Sequence, residues 1–266
     1  MPRWIALTNQ KGGVGKSTTA LNLGAALAED AGPVLLIDLD PHAGLTFSLG
    51  YDEPETAFSK TAYEVLDPDQ QTPLREAAVQ TKIPGVELIP SHLDLVEIDY
   101  RLVGRPGWAQ ILKRRIADAG DYYRYVLMDC PPSLGILTRM ALVAADLAIV
   151  PVQAEWLALR GLRLLNRIVG EIKAETDHAD LEVRYLVTMH GRTKHAEEIQ
   201  AEIRQHFGAQ VYQTVIRRSV RFADSTLAGQ PLLLFDKDHA GAQAYRDLAK
   251  EIRAYEHATT VGPRQG

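Results

Sequence analysis

The sequence predicts a single α/β domain: a doubly wound, mostly parallel β-sheet flanked by helices. Three observations carry this prediction. Apolar runs of strand length alternate with amphipathic stretches of helix length, as in repeated βαβ units around a buried sheet. Hydrophobic residues at 46% and charged residues at 24% match an average globular chain and argue against collagen-like, low-complexity and coiled-coil architectures. A length of 266 residues exceeds the common domain but suits one large α/β unit of about 250 residues.

Strands are predicted at residues 4–8, 34–38, 86–89, 125–129, 147–150, 183–188 and 211–215. Helical patterns occupy residues 16–29, 93–103, 108–119, 134–144, 155–174, 195–207 and 241–255. The stretch 50–85 is poorer in strand signal and carries Asp52, Glu53, Pro54, Asp67, Pro68 and Pro73, so it reads as an excursion with short helices. Residues 257–266 have little apolar content and are expected to form a flexible tail, leaving 1–256 as the domain.

Composition narrows the function. Cys130 is the only cysteine, which removes an internal disulfide and any cysteine-based metal site. With 29 basic against 34 acidic residues, the net charge of −5 offers no global attraction to nucleic acid or anionic lipid, so such binding needs a local patch. No apolar run approaches the ~18 residues of a membrane span, and the opening residues lack a signal-peptide layout. A cytoplasmic protein is expected.

The strongest motif is Gln10-Lys11-Gly12-Gly13-Val14-Gly15-Lys16-Ser17-Thr18, set between the first predicted strand and helix. It is a phosphate loop in the right context. The glycines let backbone N–H groups turn inward, and the following helix aims its N-terminal dipole at the anion. Lys16 supplies charge to the β- and γ-phosphates, Ser17 offers a hydroxyl to Mg²⁺, and Thr18 reaches toward an α-phosphate. Gln10 stands where the common pattern has glycine, and Lys11 is an additional cation.

Two carboxylate motifs accompany it. In Leu35-Leu36-Ile37-Asp38-Leu39-Asp40-Pro41-His42, strand alternation puts Asp38 and Asp40 on one side, facing the strand-end crevice of an open α/β sheet. On its own, such an acidic pair would more often cap a helix. In Tyr125-Val126-Leu127-Met128-Asp129-Cys130-Pro131-Pro132, an apolar strand ends in an aspartate and two prolines stop it. This looks like a Walker B strand whose Asp129 serves Mg²⁺, while Cys130 reads as a packed small residue.

Together these motifs resemble those of the deviant phosphate-loop ATPases of the ParA/MinD family. Pro131-Pro132-Ser133-Leu134-Gly135, Ala144-Ala145-Asp146 and Pro151-Val152-Gln153-Ala154-Glu155 look like the ParA/Soj partitioning type. Arg192-Thr193, Val215-Ile216, Val220-Arg221, Gly229-Gln230-Pro231, Gly241-Ala242, Tyr245 and Leu248-Ala249 continue the likeness, which covers about residues 3–255. The resemblance implies ATP and Mg²⁺ as cofactors. Nucleotide binding would fall to Lys11, Gly12, Gly13, Val14, Gly15, Lys16, Ser17 and Thr18, and the metal side to Ser17, Asp38 and Asp129. Lys11, Lys16 and Asp40 would act in hydrolysis, Asp40 by orienting water and Lys11 by reaching into the partner subunit's nucleotide. Without the resemblance, Lys11 reads as a solvated lysine.

The resemblance further implies an ATP-dependent homodimer that binds double-stranded DNA without sequence preference. A ParB-like protein would stimulate hydrolysis and release, giving a nucleoid-associated cytoplasmic protein with no membrane role. The matching DNA positions are Arg192 and Arg221, with Arg217 and Arg218 adding charge; residues 192–221 hold six basic residues against three acids. Two departures stand out. Ile216-Arg217-Arg218-Ser219 replaces the family's usual Ile-Pro-Arg-Asn beside adenine, and His42-Ala43-Gly44 replaces Gln-Gly-Asn. A ParA-like ATPase that positions protein cargo, such as carboxysomes or chemoreceptor clusters, through an adaptor is the alternative, and a non-catalytic DNA scaffold a more distant one. A MinD-like membrane ATPase would need a terminal amphipathic helix that residues 257–266 do not provide. An iron protein of the nitrogenase type would need two cluster cysteines.

Overall fold

The computed structural model describes residues 3–155, 158–176, 178–191 and 193–261. The chain runs β1 (Arg3–Leu7), α1 (Lys16–Ala31), β2 (Val34–Asp38), α2 (Gly44–Ser48), α3 (Pro54–Ala57), α4 (Ala62–Leu66), α5 (Leu74–Ala77), β3 (Val79–Gln80) and β4 (Val86–Ile89). It continues through α6 (Val96–Leu102), α7 (Ile111–Asp118), β5 (Tyr125–Asp129), α8 (Ile136–Ala144), β6 (Leu147–Gln153), α9 (Ala158–Thr176) and β7 (Glu182–His190). Last come α10 (Lys194–Phe207), β8 (Val211–Arg217), α11 (Arg221–Leu227), α12 (Leu232–Phe235) and α13 (Ala240–Val261).

Alternation along each strand builds two cores, because successive side chains point to opposite faces. Ile5, Leu7, Val34, Leu36, Tyr125 and Leu127 pack on one face with α1 and α13 residues such as Leu23 and Leu248. Ala6, Leu35, Ile37, Val126 and Met128 pack on the other with residues such as Ile98, Met140 and Leu165. Helices on both faces are what a parallel sheet requires. The eight-stranded sheet has the order β3-β4-β2-β5-β1-β6-β7-β8. Its pairs are parallel except β3 with β4. The predicted doubly wound architecture is therefore the observed one.

The predicted strands at 34–38, 86–89 and 125–129 match their observed limits. β6, β7 and β8 run further than predicted because pairing in the sheet carries them past the apolar run. Helices predicted at 93–103 and 108–119 each begin with a 3₁₀ turn, Leu93–Leu95 and Trp108–Gln110. The excursion at 50–85 forms α3, α4, α5 and the edge strand β3. The short α2, α11 and α12 escape periodicity analysis because one or two helical turns hold too few residues to show a period. α13 runs to Val261, and residues 262–266 lie outside the described residues.

The sequence Gly229-Gln230-Pro231 has a structural reason. Gly229 adopts φ +65°, and a Cβ there would lie 2.8 Å from the Cα of Gly50, itself at φ +85°. Two backbones therefore touch where neither can carry a side chain. Gly229→Ala is expected to cost about 2–3 kcal/mol, read as a lowered urea midpoint with unchanged m-value.

β1 sits between β5 and β6, and the chain leaves β1 toward β2 on one side but crosses from β5 to β6 over it. The crevice outside the carboxyl ends of these strands is where such sheets bind ligands.

Candidate functional site

The loop after β1 passes through Gly13 at φ +72° and Gly15 at φ +90°, and Gly15 forms the N-cap of α1. No side chain caps α1, and its first turn holds no carboxylate, so its leading N–H groups remain free for an anion. Three contacts hold the loop. Thr188 Oγ1 on β7 donates to the Val14 carbonyl at 2.8 Å, Asn9 Nδ2 donates to the Pro151 carbonyl at 2.7 Å, and Asn9 Oδ1 accepts from Lys11 N at 3.0 Å. Lys16 is only 7% exposed. Its ammonium lies 3.5 Å from the Lys11 carbonyl, poised over the loop.

Register brings the carboxylates together, since Asp38 on β2 pairs directly with Asp129 on β5. Both are fully buried. Asp38 has partners: Oδ1 accepts from Asp40 N at 3.1 Å, and Oδ2 accepts from Thr46 N at 2.9 Å and Thr46 Oγ1 at 2.8 Å. Burial still raises its carboxyl to about 7 against those hydrogen bonds. Asp129 has no such support: neither oxygen has a hydrogen-bond partner among the described residues. Its carboxyl is pushed well above the usual range by burial and then by Asp38, while the nearby Ser17 hydroxyl and Lys16 ammonium pull it down without Ser17 closing a well-formed hydrogen bond.

Asp40 lines a cavity of about 250 Å³ with Gly12, Gly13, Gly15, Lys16, Ser17, Thr18, Pro132 and Met189. Its Oδ1 accepts from the His42 N–H at 3.0 Å and meets the His42 ring Nδ1 at 3.0 Å. His42 itself is exposed. In the sequence His42 stands only as a loop substitution, and nothing there signals its contact with Asp40.

A second cavity, of about 530 Å³, shares Gly15, Thr18 and Met189 with the first and extends to Ile216, Phe222, Leu227 and Tyr245. Its apolar walls and its continuity with the phosphate loop suit a flat aromatic base. Met189 holds a left-handed φ of 50° in β7, where the β7–β8 register is irregular, and packs 3.9 Å from where a Cβ on Gly15 would stand. Met189 and Thr188 carried no signal in the sequence, because only the β7–α1 juxtaposition brings them to the loop.

Lys11 is turned toward its own chain. Its ammonium pairs with the Glu155 carboxylate and lies 3.4 Å from Gln153 Oε1. The expected DNA arginines separate. Arg192 lies outside the described residues. Arg217 and Arg218 are exposed and line the larger cavity. Arg221 is bound by Asp224 at 3.3 Å and Asp236 at 3.1 Å, and stacks 4.7 Å over the Phe235 ring.

The donor set fits magnesium. A buried carboxylate without a hydrogen-bond partner among the described residues, beside a serine hydroxyl and a lysine at a phosphate loop, calls for a cation to offset its charge. Asp129→Asn follows as a test. A carboxyl raised in the folded state keeps a proton that the unfolded chain releases, so its contribution falls as pH rises from about 4 through the raised value. The nucleotide-free variant is expected to gain stability on the parent progressively as pH rises from about 4 to 8, read from urea midpoints.

Comparison with known proteins agrees with this geometry. A family model described as an AAA domain matches residues 2–183. The chromosome partitioning protein ParA of Caulobacter vibrioides is 42% identical over 254 residues, covering 94% of this chain and 93% of that protein. The chain belongs to the ParA/Soj family of partitioning ATPases. Another relative, the sporulation initiation inhibitor protein Soj of Bacillus subtilis, is 37% identical over 255 residues, covering 96% of this chain and 99% of that one. Among solved structures, one described as cobyrinic acid a,c-diamide synthase of Mycobacterium smegmatis, with a bound ATP analogue and magnesium, aligns at TM-score 0.84 and 35% identity. The alignment covers 97% of each chain. Among the described residues of this ParA/Soj-type chain, no helix is long and apolar enough to cross a membrane.

Proposed function

We propose that the chain is an ATP-driven dimerising switch that holds DNA without sequence preference in its ATP state and lets go on hydrolysis, segregating chromosome or plasmid DNA. The observation that carries this reading is the convergence of Lys16, Ser17 and Asp40 on one cavity at the end of the sheet, with the buried Asp129 carboxylate close to Lys16 and Ser17 and without a hydrogen-bond partner among the described residues. Residues 1–256 act as one ATPase domain. The N–H groups of residues 12–18 and the Lys16 ammonium bind the phosphates, and the base enters the adjoining cavity against Phe222 and Met189. Ser17 and Asp129 would hold magnesium, which when bound would supply positive charge at the phosphates. Asp38 fixes the turn that presents Asp40 through its bonds to Asp40 N and Thr46. Asp40 Oδ2 orients the attacking water, while His42 steadies Oδ1.

Lys11 exchanges Glu155 for the phosphates of a second copy, and this exposed ion pair is weak enough to give way. Arg217 and Arg218 meet DNA phosphates with Arg192. Arg221, held by two carboxylates, supports that surface more than it donates charge. A ParB-like partner, or an adaptor for protein cargo, sets the moment of hydrolysis, and the protein works in the cytoplasm on the nucleoid.

Amide synthesis, implied by the name of the Mycobacterium smegmatis protein, is disfavoured. The chain's one thiol, Cys130, is fully buried and pushed up by burial, so it offers no thiolate to release ammonia from glutamine.

Size-exclusion chromatography with light scattering, with Mg·ADP and Mg·ATP, tests the reading alongside DNA binding at two salt concentrations. ATP alone should give dimers and DNA binding, with a log–log salt slope of about −0.9 per phosphate contact. Arg217→Ala with Arg218→Ala, compared at saturating ATP, should flatten that slope by about 2. Monomers in ATP, or equal DNA binding in both nucleotides, would defeat the proposal.

A further inference from the structure

The segment before and along α6 leaves apolar surface uncovered. Leu93, Val96, Tyr100 and Val103 are 60, 45, 79 and 70% exposed, whereas Leu95, Ile98 and Leu102 on the opposite side are fully buried. Their spacing puts the exposed residues on one helical face. One exposed apolar side chain needs no explanation; a contiguous stripe marks an interaction surface. The charge around it is acidic. Asp94 and Glu97 are exposed beside Asp99, and the segment's arginine, Arg101, is already engaged by Asp67 and Asp69. The next arginine, Arg105, also pairs with Asp69. Asp99 Oδ1 is buried without a hydrogen-bond partner.

Both ends of this surface touch the catalytic loops. Ser91 Oγ donates to the Asp40 carbonyl at 2.8 Å, and Ser91 N donates to Thr46 Oγ1 at 3.1 Å, the hydroxyl that also binds Asp38. At the other end, Asp99 Oδ2 lies 3.6 Å from where a Cβ on Gly135 would stand. Gly135 is the N-cap of α8 and closes the loop that follows Asp129.

We propose that the Leu93–Val96–Tyr100–Val103 stripe receives a cationic amphipathic segment of a partner protein, its apolar side chains on the stripe and its Lys or Arg residues on Asp94, Glu97 and Asp99. Occupancy bears on the Asp40 turn through Ser91 and on the loop after Asp129 through Asp99 and Gly135, so the bound segment stimulates hydrolysis. A second copy of this chain is the poorer occupant. A two-fold contact through the same face would set these acids against each other on a chain whose net charge is already −5. The stimulation rests on the switch reading above; the docking does not.

The probe is a fluorescent synthetic Leu/Lys peptide with helical amphipathic spacing and a benzophenone crosslinker, used with the full chain. A Leu/Glu peptide of the same spacing is the control. Val96→Ser with Tyr100→Ser, and separately Asp94→Asn with Glu97→Gln, should each raise the Kd of the Leu/Lys peptide about tenfold. Crosslinks should fall on residues 93–103, and the Leu/Glu peptide should not bind. The Leu/Lys peptide should accelerate ATP turnover, and Asp99→Asn should lose the acceleration even at saturating peptide. Affinity indifferent to the Val96/Tyr100 change, or crosslinks elsewhere, overturns the docking site. Loss of ATP-dependent dimerisation in that variant with peptide affinity unchanged also overturns it, assigning the face to a second copy. Acceleration that persists in Asp99→Asn overturns the coupling. If the chain turns over no ATP at all, the switch reading fails alone, because Kd and crosslinks still decide the docking.

Discussion

Lys16→Ala is expected to lower the affinity for Mg·ATP by about 100-fold or more, measured by isothermal titration. Lys16 is almost fully packed at the loop, so its ammonium has already been desolvated and oriented before any phosphate arrives. Binding then costs little additional ordering, and the charge-assisted bonds to phosphate act at nearly full strength. The folded chain should tolerate the change at neutral pH. Lys16 pulls the Asp129 carboxyl down, and losing that ammonium moves the carboxyl further toward its neutral form. Thermal melting therefore separates the two roles, with a small change in Tm beside a large loss of affinity. Wild-type affinity in the variant would remove the phosphate-loop argument altogether.

Asp40→Ala is expected to do the opposite, keeping ATP affinity within about threefold while turnover falls by about 10²–10⁴-fold. The carboxylate reaches the phosphate-loop cavity from a turn that other groups hold: Asp38 binds its backbone N–H and Ser91 its carbonyl. Removing the side chain leaves that turn in place, so the loss falls on chemistry and not on nucleotide binding. The trapped ATP-state dimer should accumulate in size-exclusion chromatography and remain on DNA. His42→Ala should cost far less, since it withdraws only one of the contacts to Oδ1. Unimpaired turnover in Asp40→Ala would contradict the assigned role.

Much of the site was legible because its parts are local in sequence. The phosphate loop needs only a strand, glycines and a helix start in succession, and Asp38, Asp40 and Asp129 each end or follow an apolar run. The contacts that make those parts a site are remote. Thr188 binds Val14, Ser91 binds Asp40, and Asp38 faces Asp129 across two strands. No window of residues carries such pairings. The charge count over residues 192–221 likewise included Arg221, whose partner Asp236 lies outside that window. Periodicity predicted a helix at 93–103 but could not tell which of its apolar residues would be buried.

The sequence by itself determined the alternating α/β architecture and the phosphate loop at its first strand–helix junction, because each follows from residue types at short, regular spacing, and its separated motifs carried the resemblance to the family. Only the tertiary structure decided that Asp129 has no hydrogen-bond partner among the described residues, that Lys11 rests on Glu155, and that Arg221 is held by acids while Arg217 and Arg218 remain exposed. Those outcomes depend on which desolvated charge meets which neighbour once strands distant in the chain lie side by side, and burial and Coulomb interaction act through space.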